Sequence, residues 1–392
     1  MTDPLAWIDA EAADRARRGL ARSLAPLGRA TPGRIERDGR SLVNFASNDY
    51  LGLAADPRVI AAARAAADAY GWGAGASPLV SGWREPHESL ARDLAGFERA
   101  EAVALFPTGY AANLGTIAAL VGPGDAVYLD RLDHACLLDG ARLSGARLRP
   151  YPHGDAARLA AILDRDRGRF RRSLIATDGV FSMDGDFAPL AALADLAEEA
   201  GAMLLVDEAH GTGVSGPDGR GACAACGVAD RVPIRVGTLS KALGSLGGFV
   251  AGPRRLVDHL LARARPLLFS TSLPPAAAAA ARAALAISRA EPWRRDRARA
   301  LGDRLRAALS ALGYAIPPSA GPIVPVLLVT PDRATDRSAA LREAGFLVPG
   351  IRPPTVPEGT SRLRISVTAA HSDADVDGLI HAMEPAAGRE GR

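Results

Sequence analysis

Lys241 is the only lysine in this sequence of 392 residues, although lysine and arginine together number 47. It lies within Val236 to Phe249, which reads V-G-T-L-S-K-A-L-G-S-L-G-G-F. A lysine amine can lose its proton and attack a carbonyl carbon to form an imine, whereas a guanidinium effectively cannot. The chain uses arginine for its other cationic side chains, so the exception predicts imine chemistry at Lys241. A chance surface lysine is the alternative interpretation.

Polar residues follow five successive apolar runs of the sequence. These polar stretches are Thr108-Gly109-Tyr110, Asp130 to His134, Asp178 to Asp186, Asp207 to Gly213, and Thr238 to Lys241. In an open parallel sheet, ligands bind beyond the carboxyl ends of the strands. If the apolar runs are strands of one such sheet, their polar ends form an active site that includes Lys241.

The side chains at these strand ends suit pyridoxal 5'-phosphate, whose carbonyl can form the imine with lysine. Asp207 can pair with the protonated pyridine nitrogen, and His210 can reach the phenolic oxygen. Gly109 and Tyr110 precede a helical segment whose N–H groups can bind the phosphate, and the Thr238 hydroxyl can add to them. His134 can stack on the ring. The plainer alternatives are a helix N-cap at Asp207 and structural roles for the histidines.

Composition argues against several other classes of protein. The formal net charge is only +3, and the sequence contains no basic stripe interleaved with aromatic residues. Nucleic-acid binding is therefore not expected. The sequence has no apolar stretch of 18 or more residues that could span a membrane, and its acidic N-terminus lacks the pattern of a signal peptide. We therefore expect a cytoplasmic protein. The pair Cys223 and Cys226 has no second pair to complete a metal site, so no metal is expected.

The elements that position these residues follow a βαβ rhythm, which predicts an α/β fold with a mostly parallel sheet covered by helices. A further helical stretch, 276–312, leads to a smaller α+β domain. We predict an N-terminal helical arm at 1–45, a large domain at 46–280 and a C-terminal small domain at 281–392. The predicted strands are Ala102–Phe106, Ala126–Leu129, Leu174–Thr177, Met203–Val206, Ile234–Val236, Gly248–Ala251, Val324–Val329, Phe346–Val348 and Leu363–Val367.

Four motifs together resemble the α-oxoamine synthases, which are fold-type-I pyridoxal-phosphate transferases. They are N-F-A-S-N-D-Y-L-G-L (Asn44–Leu53), D-G-V-F-S-M-D-G-D (Asp178–Asp186), V-D-E-A-H-G-T-G (Val206–Gly213) and T-L-S-K-A-L-G (Thr238–Gly244). The family condenses an amino acid with an acyl thioester and releases CO₂. The likeness covers essentially the whole chain, and it implies a seven-stranded sheet and a homodimer with shared active sites.

The resemblance also implies individual roles. Lys241 would be the imine lysine, Asp207 the pyridinium partner, and His134 the stacking residue. The remaining cofactor residues would be Gly109, Tyr110, Ser182, His210, Thr238 and, from the other subunit, Thr271. The substrate residues would be Arg22, Asn48, His134, Thr355 and Arg364, with Arg362 as the alternative to Arg364.

The segment Ile351–His371 most resembles family members that join L-alanine to pimeloyl-CoA or a pimeloyl-acyl carrier protein. Glycine C-acetyltransferase, 5-aminolaevulinate synthase and serine palmitoyltransferase are the alternatives within the family. A fold-type-I aminotransferase is the alternative outside it. Two residues depart from the family pattern, because Asp178 stands where many relatives have glutamate and Pro78 where several have arginine.

Overall fold

The computed structural model describes residues 3–384, so residues 1–2 of the predicted arm and 385–392 of the predicted C-terminal domain lie outside it. The helices are α1 (Trp7–Arg17), α2 (Pro57–Tyr70), α3 (Glu85–Glu98), α4 (Gly109–Leu120), α5 (Ala135–Ser144), α6 (Ala156–Asp166), α7 (Leu190–Ala200), α8 (Ala222–Ala225), α9 (Arg254–Arg263), α10 (Arg265–Leu268), α11 (Pro275–Ala290), α12 (Trp293–Ala311), α13 (Pro331–Glu343) and α14 (Asp373–Met383). The strands are β1 (Ala30–Thr31), β2 (Arg34–Arg37), β3 (Arg40–Asn44), β4 (Ala102–Phe106), β5 (Ala126–Asp130), β6 (Arg147–Tyr151), β7 (Ser173–Asp178), β8 (Met203–Asp207), β9 (Ile234–Thr238), β10 (Gly248–Gly252), β11 (Ile323–Val329), β12 (Phe346–Leu347), β13 (Gly350–Ile351) and β14 (Ser361–Ser366).

The chain divides into two compact units. The large unit contains Asn48–Ser182 and Asp186–Arg297, and the small unit contains the residues up to Ser47, Met183–Gly185 and the residues from Ala298 onward. The domain boundaries predicted from the sequence remain predictions; they divide the chain into 1–45, 46–280 and 281–392. Among the helices between residues 3 and 384, none combines the length and apolar character that a membrane span requires.

The large unit is built on one seven-stranded sheet with the order β4-β10-β9-β8-β7-β5-β6. Only β10 runs antiparallel to its neighbours, β4 and β9, while the pairs among β9, β8, β7, β5 and β6 are parallel. The carboxyl ends of β4, β5, β7, β8 and β9 therefore meet at one edge of the sheet. This confirms the predicted mostly parallel seven-stranded sheet.

Except at the edge strand β6, both faces of this sheet are buried, which explains why the other six strands are mainly apolar. On β5, Val127 and Leu129 pack into a cluster with side chains of α4, α5 and α9. The alternate residues Ala126 and Tyr128 pack into a second cluster with side chains of α6 and α7. The polar residues begin where each strand ends, because only there does the chain leave these two cores.

The small unit holds two further sheets, with the orders β1-β2-β3-β12 and β11-β14-β13. Its buried core includes Leu305, Val326, Leu363 and Leu379. Strands were predicted near β11, β12 and β14, but not at β1 to β3 or β13. The predicted helical stretch 276–312 is divided into α11 and α12 at Glu291 and Pro292, because proline has no N–H with which to continue the helix.

Candidate active site

Lys241 follows strand β9 and is half-buried. Its Nζ lies 2.8 Å from His210 Nε2. The other ring nitrogen of His210 lies 2.7 Å from the hydroxyl of Tyr50, and this hydroxyl donates to Asn48 Oδ1 at 3.1 Å. The lysine amine is thus joined to a chain of hydrogen bonds through two buried side chains, His210 and Tyr50.

Asp207 ends strand β8 and is 5% exposed. Its carboxylate accepts a hydrogen bond from Asn113 Nδ2 at 2.6 Å and from the Ala209 N–H at 2.8 Å. Asn113 Oδ1 is buried and has no hydrogen-bond partner among residues 3–384. A fixed carboxylate beside an unsatisfied amide oxygen fits a site that receives a polar cationic group such as a protonated ring nitrogen.

His134 caps helix α5 through its own ring. Nδ1 accepts from the Cys136 N–H at 3.3 Å and lies 2.9 Å from Cys136 Sγ. Desolvation by the surrounding protein lowers the pKa of His134, although part of the residue is exposed, and the Tyr110 ring stands edge-on to it with centroids 6.2 Å apart. The ring is held by its Nδ1 side, so its plane is fixed before any ligand binds.

Two aspartates, the buried Asp178 and the partly buried Asp133, support the backbone at His134. Asp178 Oδ2 accepts from the His134 N–H at 3.2 Å, and Asp133 Oδ1 accepts from the Asp178 N–H at 2.9 Å. Burial and the neighbouring carboxylate of Asp207 raise the pKa of Asp178 well above its usual range, and burial together with Asp130 does the same for Asp133. Asp178, which departs from the glutamate of many relatives, is thus a buried carboxyl group with a raised pKa.

The start of helix α4 forms the side of the site that suits a phosphate. Thr108 accepts from the Ala111 N–H at 3.0 Å and so caps the helix, which begins at Gly109. A side chain at Gly248 would place its Cβ 2.6 Å from the Gly109 backbone, so glycine is needed for strand β10 to approach the helix start. The Thr238 hydroxyl donates to Gly247 O at 3.0 Å beneath this turn.

Tyr110, the second residue of α4, donates its hydroxyl hydrogen to Asp139. This hydrogen bond raises the pKa of Tyr110 to about 12, so the phenol keeps its proton in neutral solution. Two other predicted cofactor residues also lie in the large unit. Ser182 is half-buried in the loop after β7, and Thr271 is exposed in the loop between α10 and α11.

The small unit brings two of the predicted substrate residues together. Arg22 donates to Thr355 Oγ1 at 3.0 Å, although the two residues are 333 positions apart. Both line a cavity of about 670 Å³ whose lining also includes Arg342 and Arg352. Arg352 donates to Ala21 O at 2.6 Å, which fixes the chain next to Arg22.

The choice between Arg362 and Arg364 has a structural basis within β14, where each arginine is 4% exposed. Arg362 forms an ion pair with Asp184 and donates to Thr360 O at 2.9 Å. Arg364 donates to the Ser366 hydroxyl at 2.7 Å. The carboxylate of Asp184 thus neutralises Arg362, and the assignment of Arg364 to a substrate carboxylate stays a prediction.

Three residues of the site were not predicted, namely Tyr50, Asn113 and Cys136. Tyr50 is part of the motif N-F-A-S-N-D-Y-L-G-L, but its contact with His210 joins positions 160 apart. Asn113 is a polar residue within the apolar helix α4, and this position could have drawn attention to it. Cys136 follows the predicted site residue His134 by only two positions, and this short separation could have indicated that it belongs to the site.

The comparisons with known proteins agree on a family. The family model "Aminotransferase class I and II" matches residues 40–383. An 8-amino-7-oxononanoate synthase of Anaeromyxobacter dehalogenans strain 2CP-1 is 53% identical over 379 residues, which are 97% of this chain and 95% of that protein. The chain belongs to the 8-amino-7-oxononanoate synthase family.

Two solved structures extend this result. A serine palmitoyltransferase from S. paucimobilis, containing a PLP–myriocin adduct, superposes with a TM-score of 0.91 at 31% identity over 97% of both chains. An 8-amino-7-oxononanoate synthase from Francisella tularensis superposes with a TM-score of 0.75 at 27% identity, over 87% of this chain and 96% of that one. Both confirm the fold-type-I architecture of pyridoxal-phosphate enzymes. Three features of the site fit this cofactor: the unsatisfied Asn113 oxygen, the Asp207 carboxylate, and the close approach of Gly248 to Gly109 at the start of α4.

Proposed function

We propose that this chain condenses L-alanine with a pimeloyl thioester and releases CO₂ and the free thiol, which yields 8-amino-7-oxononanoate for biotin biosynthesis. The observation that carries the proposal is the 53% identity to an 8-amino-7-oxononanoate synthase across 97% of the chain. Pyridoxal phosphate supplies an electron sink that stabilises negative charge at the α-carbon of the amino acid. The roles below assign the chain's own residues to this chemistry.

Lys241 holds the cofactor and later serves as the base that removes the α-proton of alanine. Both tasks require a neutral amine, and His210 lies 2.8 Å from its Nζ. Asp207 pairs with the pyridinium nitrogen, held by the Asn113 amide at 2.6 Å. His134 stacks on the ring, and the neutral state favoured by its lowered pKa suits an aromatic contact.

The remaining predicted residues bind the ends of the cofactor and the substrates. Gly109, Tyr110 and Thr238 hold the phosphate, and Ser182 with His210 contacts the phenolic oxygen. In a homodimer, Thr271 of one subunit reaches the phosphate in the other. Arg364 binds the carboxylate of alanine, and Asn48, His134, Arg22 and Thr355 contact the substrates, with the acyl group carried by CoA or by a carrier protein.

A product assay tests the substrate assignment. Purified protein is given alanine, glycine or serine with pimeloyl-, acetyl-, succinyl- or palmitoyl-CoA, and the products are identified by mass spectrometry. We expect 8-amino-7-oxononanoate from alanine and pimeloyl-CoA as the main product. Preference for serine and palmitoyl-CoA would instead support the serine palmitoyltransferase alternative, which the TM-score of 0.91 makes the natural competitor. Pimeloyl-acyl carrier protein is tested beside pimeloyl-CoA to identify the donor.

Borohydride trapping tests the role of Lys241 directly, because the sequence contains a single lysine. Reduction of the cofactor-loaded protein should leave a pyridoxyl group on the peptide that contains Lys241. Lys241→Arg keeps the charge but lacks an imine-forming amine, so it should show no such label and no turnover. Labelling of the N-terminal amine alone in the wild-type protein would contradict the assignment.

A further inference from the structure

Tyr50 is a fully buried residue with a polar hydroxyl in the centre of the site. This hydroxyl lies 2.7 Å from His210 Nδ1 and 3.1 Å from Asn48 Oδ1. The ring planes of Tyr50 and His210 are tilted by 56° with centroids 6.0 Å apart, so the hydroxyl, and not ring stacking, makes the close contact. None of the roles assigned above uses it.

The chemistry of the partners fixes the direction of these hydrogen bonds. An amide oxygen can only accept, so the single hydroxyl hydrogen of Tyr50 points to Asn48 Oδ1. The Tyr50 oxygen then accepts from Nδ1–H of His210. A neutral imidazole protonated at Nδ1 has its lone pair on Nε2, which faces Lys241 Nζ at 2.8 Å.

We propose that Tyr50, held by Asn48, is a positioning residue that fixes His210 as the Nδ1–H tautomer, so that Nε2 accepts the proton that Lys241 must lose. In this step the N–H bond of the Lys241 ammonium breaks, its electron pair remains on Nζ, and a new N–H bond forms at His210 Nε2. The imidazolium keeps its Nδ1–H bond to Tyr50. The inference deepens the proposed function, since it concerns the same lysine.

The fold supports a dedicated role for this contact. Tyr50 precedes helix α2, whereas His210 follows strand β8, and 160 positions separate them. Local sequence therefore does not bring them together. A third group that orients a base toward the group it deprotonates is a recurring arrangement in enzymes, and its removal costs rate without removing the base.

The test uses Tyr50→Phe, which removes only the hydroxyl, and Tyr128→Phe as the matched control. Tyr128 is also buried, and its hydroxyl contacts Asp166 at 3.4 Å. The cofactor-free proteins are labelled with ¹⁵N-histidine, and His210→Gln identifies the His210 signals among those of the seven histidines. We expect wild type and Tyr128→Phe to show His210 protonated at Nδ1 and bare at Nε2. Tyr50→Phe should lose this pattern.

A second measurement follows the capture of added pyridoxal phosphate through its visible absorbance as a function of pH. At neutral pH, Tyr50→Phe should capture the cofactor and turn over about tenfold to a hundredfold more slowly, with KM for alanine unchanged. The pH at which capture becomes fast should move upward. Tyr128→Phe should behave as wild type in both measurements.

Unchanged ¹⁵N shifts of His210 in Tyr50→Phe, or an unchanged pH profile of capture, would overturn the inference. The tautomer and capture measurements start from cofactor-free protein and involve neither alanine nor an acyl thioester, whereas the turnover comparison uses both. If the product assay rejected the alanine and pimeloyl substrates, the tautomer and capture results would stand. A failed tautomer assignment would in turn leave the product assay valid.

Discussion

At the scale of single residues, the site combines three carboxyl groups with one imine-capable amine. Asp207 has N–H donors on both oxygens, from Asn113 and Ala209. The Asp178 N–H donates to Asp133, and burial raises the pKa of both Asp178 and Asp133. The folded environment therefore favours the protonated forms of Asp178 and Asp133 more than water does.

Replacing Asp178 tests whether the fold favours the protonated form of its carboxyl group. Asp178→Asn keeps the oxygen that accepts from the His134 N–H and makes the neutral form permanent. A carboxyl whose folded pKa is raised binds its proton more tightly in the folded state, so the wild-type protein loses stability as pH rises above about 3.9, the ordinary value. We expect Asp178→Asn to be as stable as wild type or more stable at pH 7. Urea denaturation of the cofactor-free proteins measures this.

The control for that variant is Asp178→Ala, which leaves the His134 N–H without its acceptor. It should lower the free energy of unfolding by about 1–3 kcal/mol. A marked loss of stability in Asp178→Asn, comparable with that in Asp178→Ala, would mean that the ionised carboxylate is the form the fold requires.

At the scale of elements, the cofactor side of the sheet depends on a close approach of β10 to the start of α4. Gly248→Ala would place a methyl group 2.6 Å from the Gly109 backbone, a distance that forces the strand and the helix apart. We expect a loss of about 1–3 kcal/mol in the free energy of unfolding and weaker binding of pyridoxal phosphate. Thermal melting and a cofactor titration monitor the two effects.

Gly96→Ala provides the contrast, because Gly96 lies in α3 and a Cβ there would meet nothing within 4 Å. This change should stabilise the protein by about 0.5–1 kcal/mol through the better helix propensity of alanine. Equal effects of the two substitutions would show that the approach of β10 to α4 does not constrain position 248.

His153 links the end of strand β5 to the segment that follows Ser182. Its ring contacts Asp130, the last residue of β5, at 3.1 Å and Asp186 at 2.9 Å. The hydrogen bonds to Asp130 and Asp186 raise the pKa of His153 to about 10. A raised histidine pKa contributes stability that is fully present below about 6.5, the unfolded value, and is lost as pH rises through about 10.

We therefore expect wild type to be more stable than His153→Gln near pH 6, with the difference shrinking steadily toward pH 10. Urea midpoints across this range provide the measurement, and the difference between the two proteins removes the contribution of other titrating groups. His259→Gln is the control, since the His259 ring contacts the Ala119 carbonyl at 3.0 Å and no carboxylate. A difference that stays constant across the range would contradict an ionic role for His153.

Strands made of buried, mainly apolar residues could be predicted from the sequence. A strand at the edge of the sheet, which has a neighbouring strand on only one side, was missed. Strand β5, A-V-Y-L-D, is buried throughout and was found, whereas the edge strand β6, R-L-R-P-Y, carries two arginines and a proline and was missed. The positions of Lys241, Asp207 and His210 at one edge of the sheet were predictable because these residues lie at or shortly after the carboxyl ends of buried strands. The contact of Tyr50 with His210 was not, because it depends on how chain segments 160 positions apart fold together.

At the scale of the whole molecule, the large unit exposes apolar side chains near the predicted shared residue. Trp72, Leu79, Val80 and Phe269 are between 63% and 79% exposed. Thr271 lines a small cavity with Pro78 and Trp83, and these two residues also line a larger cavity of about 430 Å³ with Leu79. Apolar surface of this kind is typical of protein interfaces, and it favours the proposed homodimer.

Mixed dimers test whether the two subunits share active sites. Lys241→Ala lacks the amine, and Thr271→Asp places a carboxylate against the phosphate that the partner binds, so each variant alone should be nearly inactive. If Thr271 acts across the dimer, a mixed dimer contains one site with both defects and one with neither. Refolding an equal mixture makes half of the dimers mixed, so about a quarter of wild-type activity should return.

The matched control pairs Lys241→Ala with Asp207→Ala, because both residues lie at or shortly after the carboxyl ends of the neighbouring strands β8 and β9 of one subunit. Their mixed dimers contain two sites with one defect each, so no activity should return. Recovery with Thr271→Asp but not with Asp207→Ala places Thr271 in the partner's site. Absence of recovery in both mixtures, while differently tagged subunits co-purify, would assign Thr271 to its own subunit and remove the shared site from the proposal.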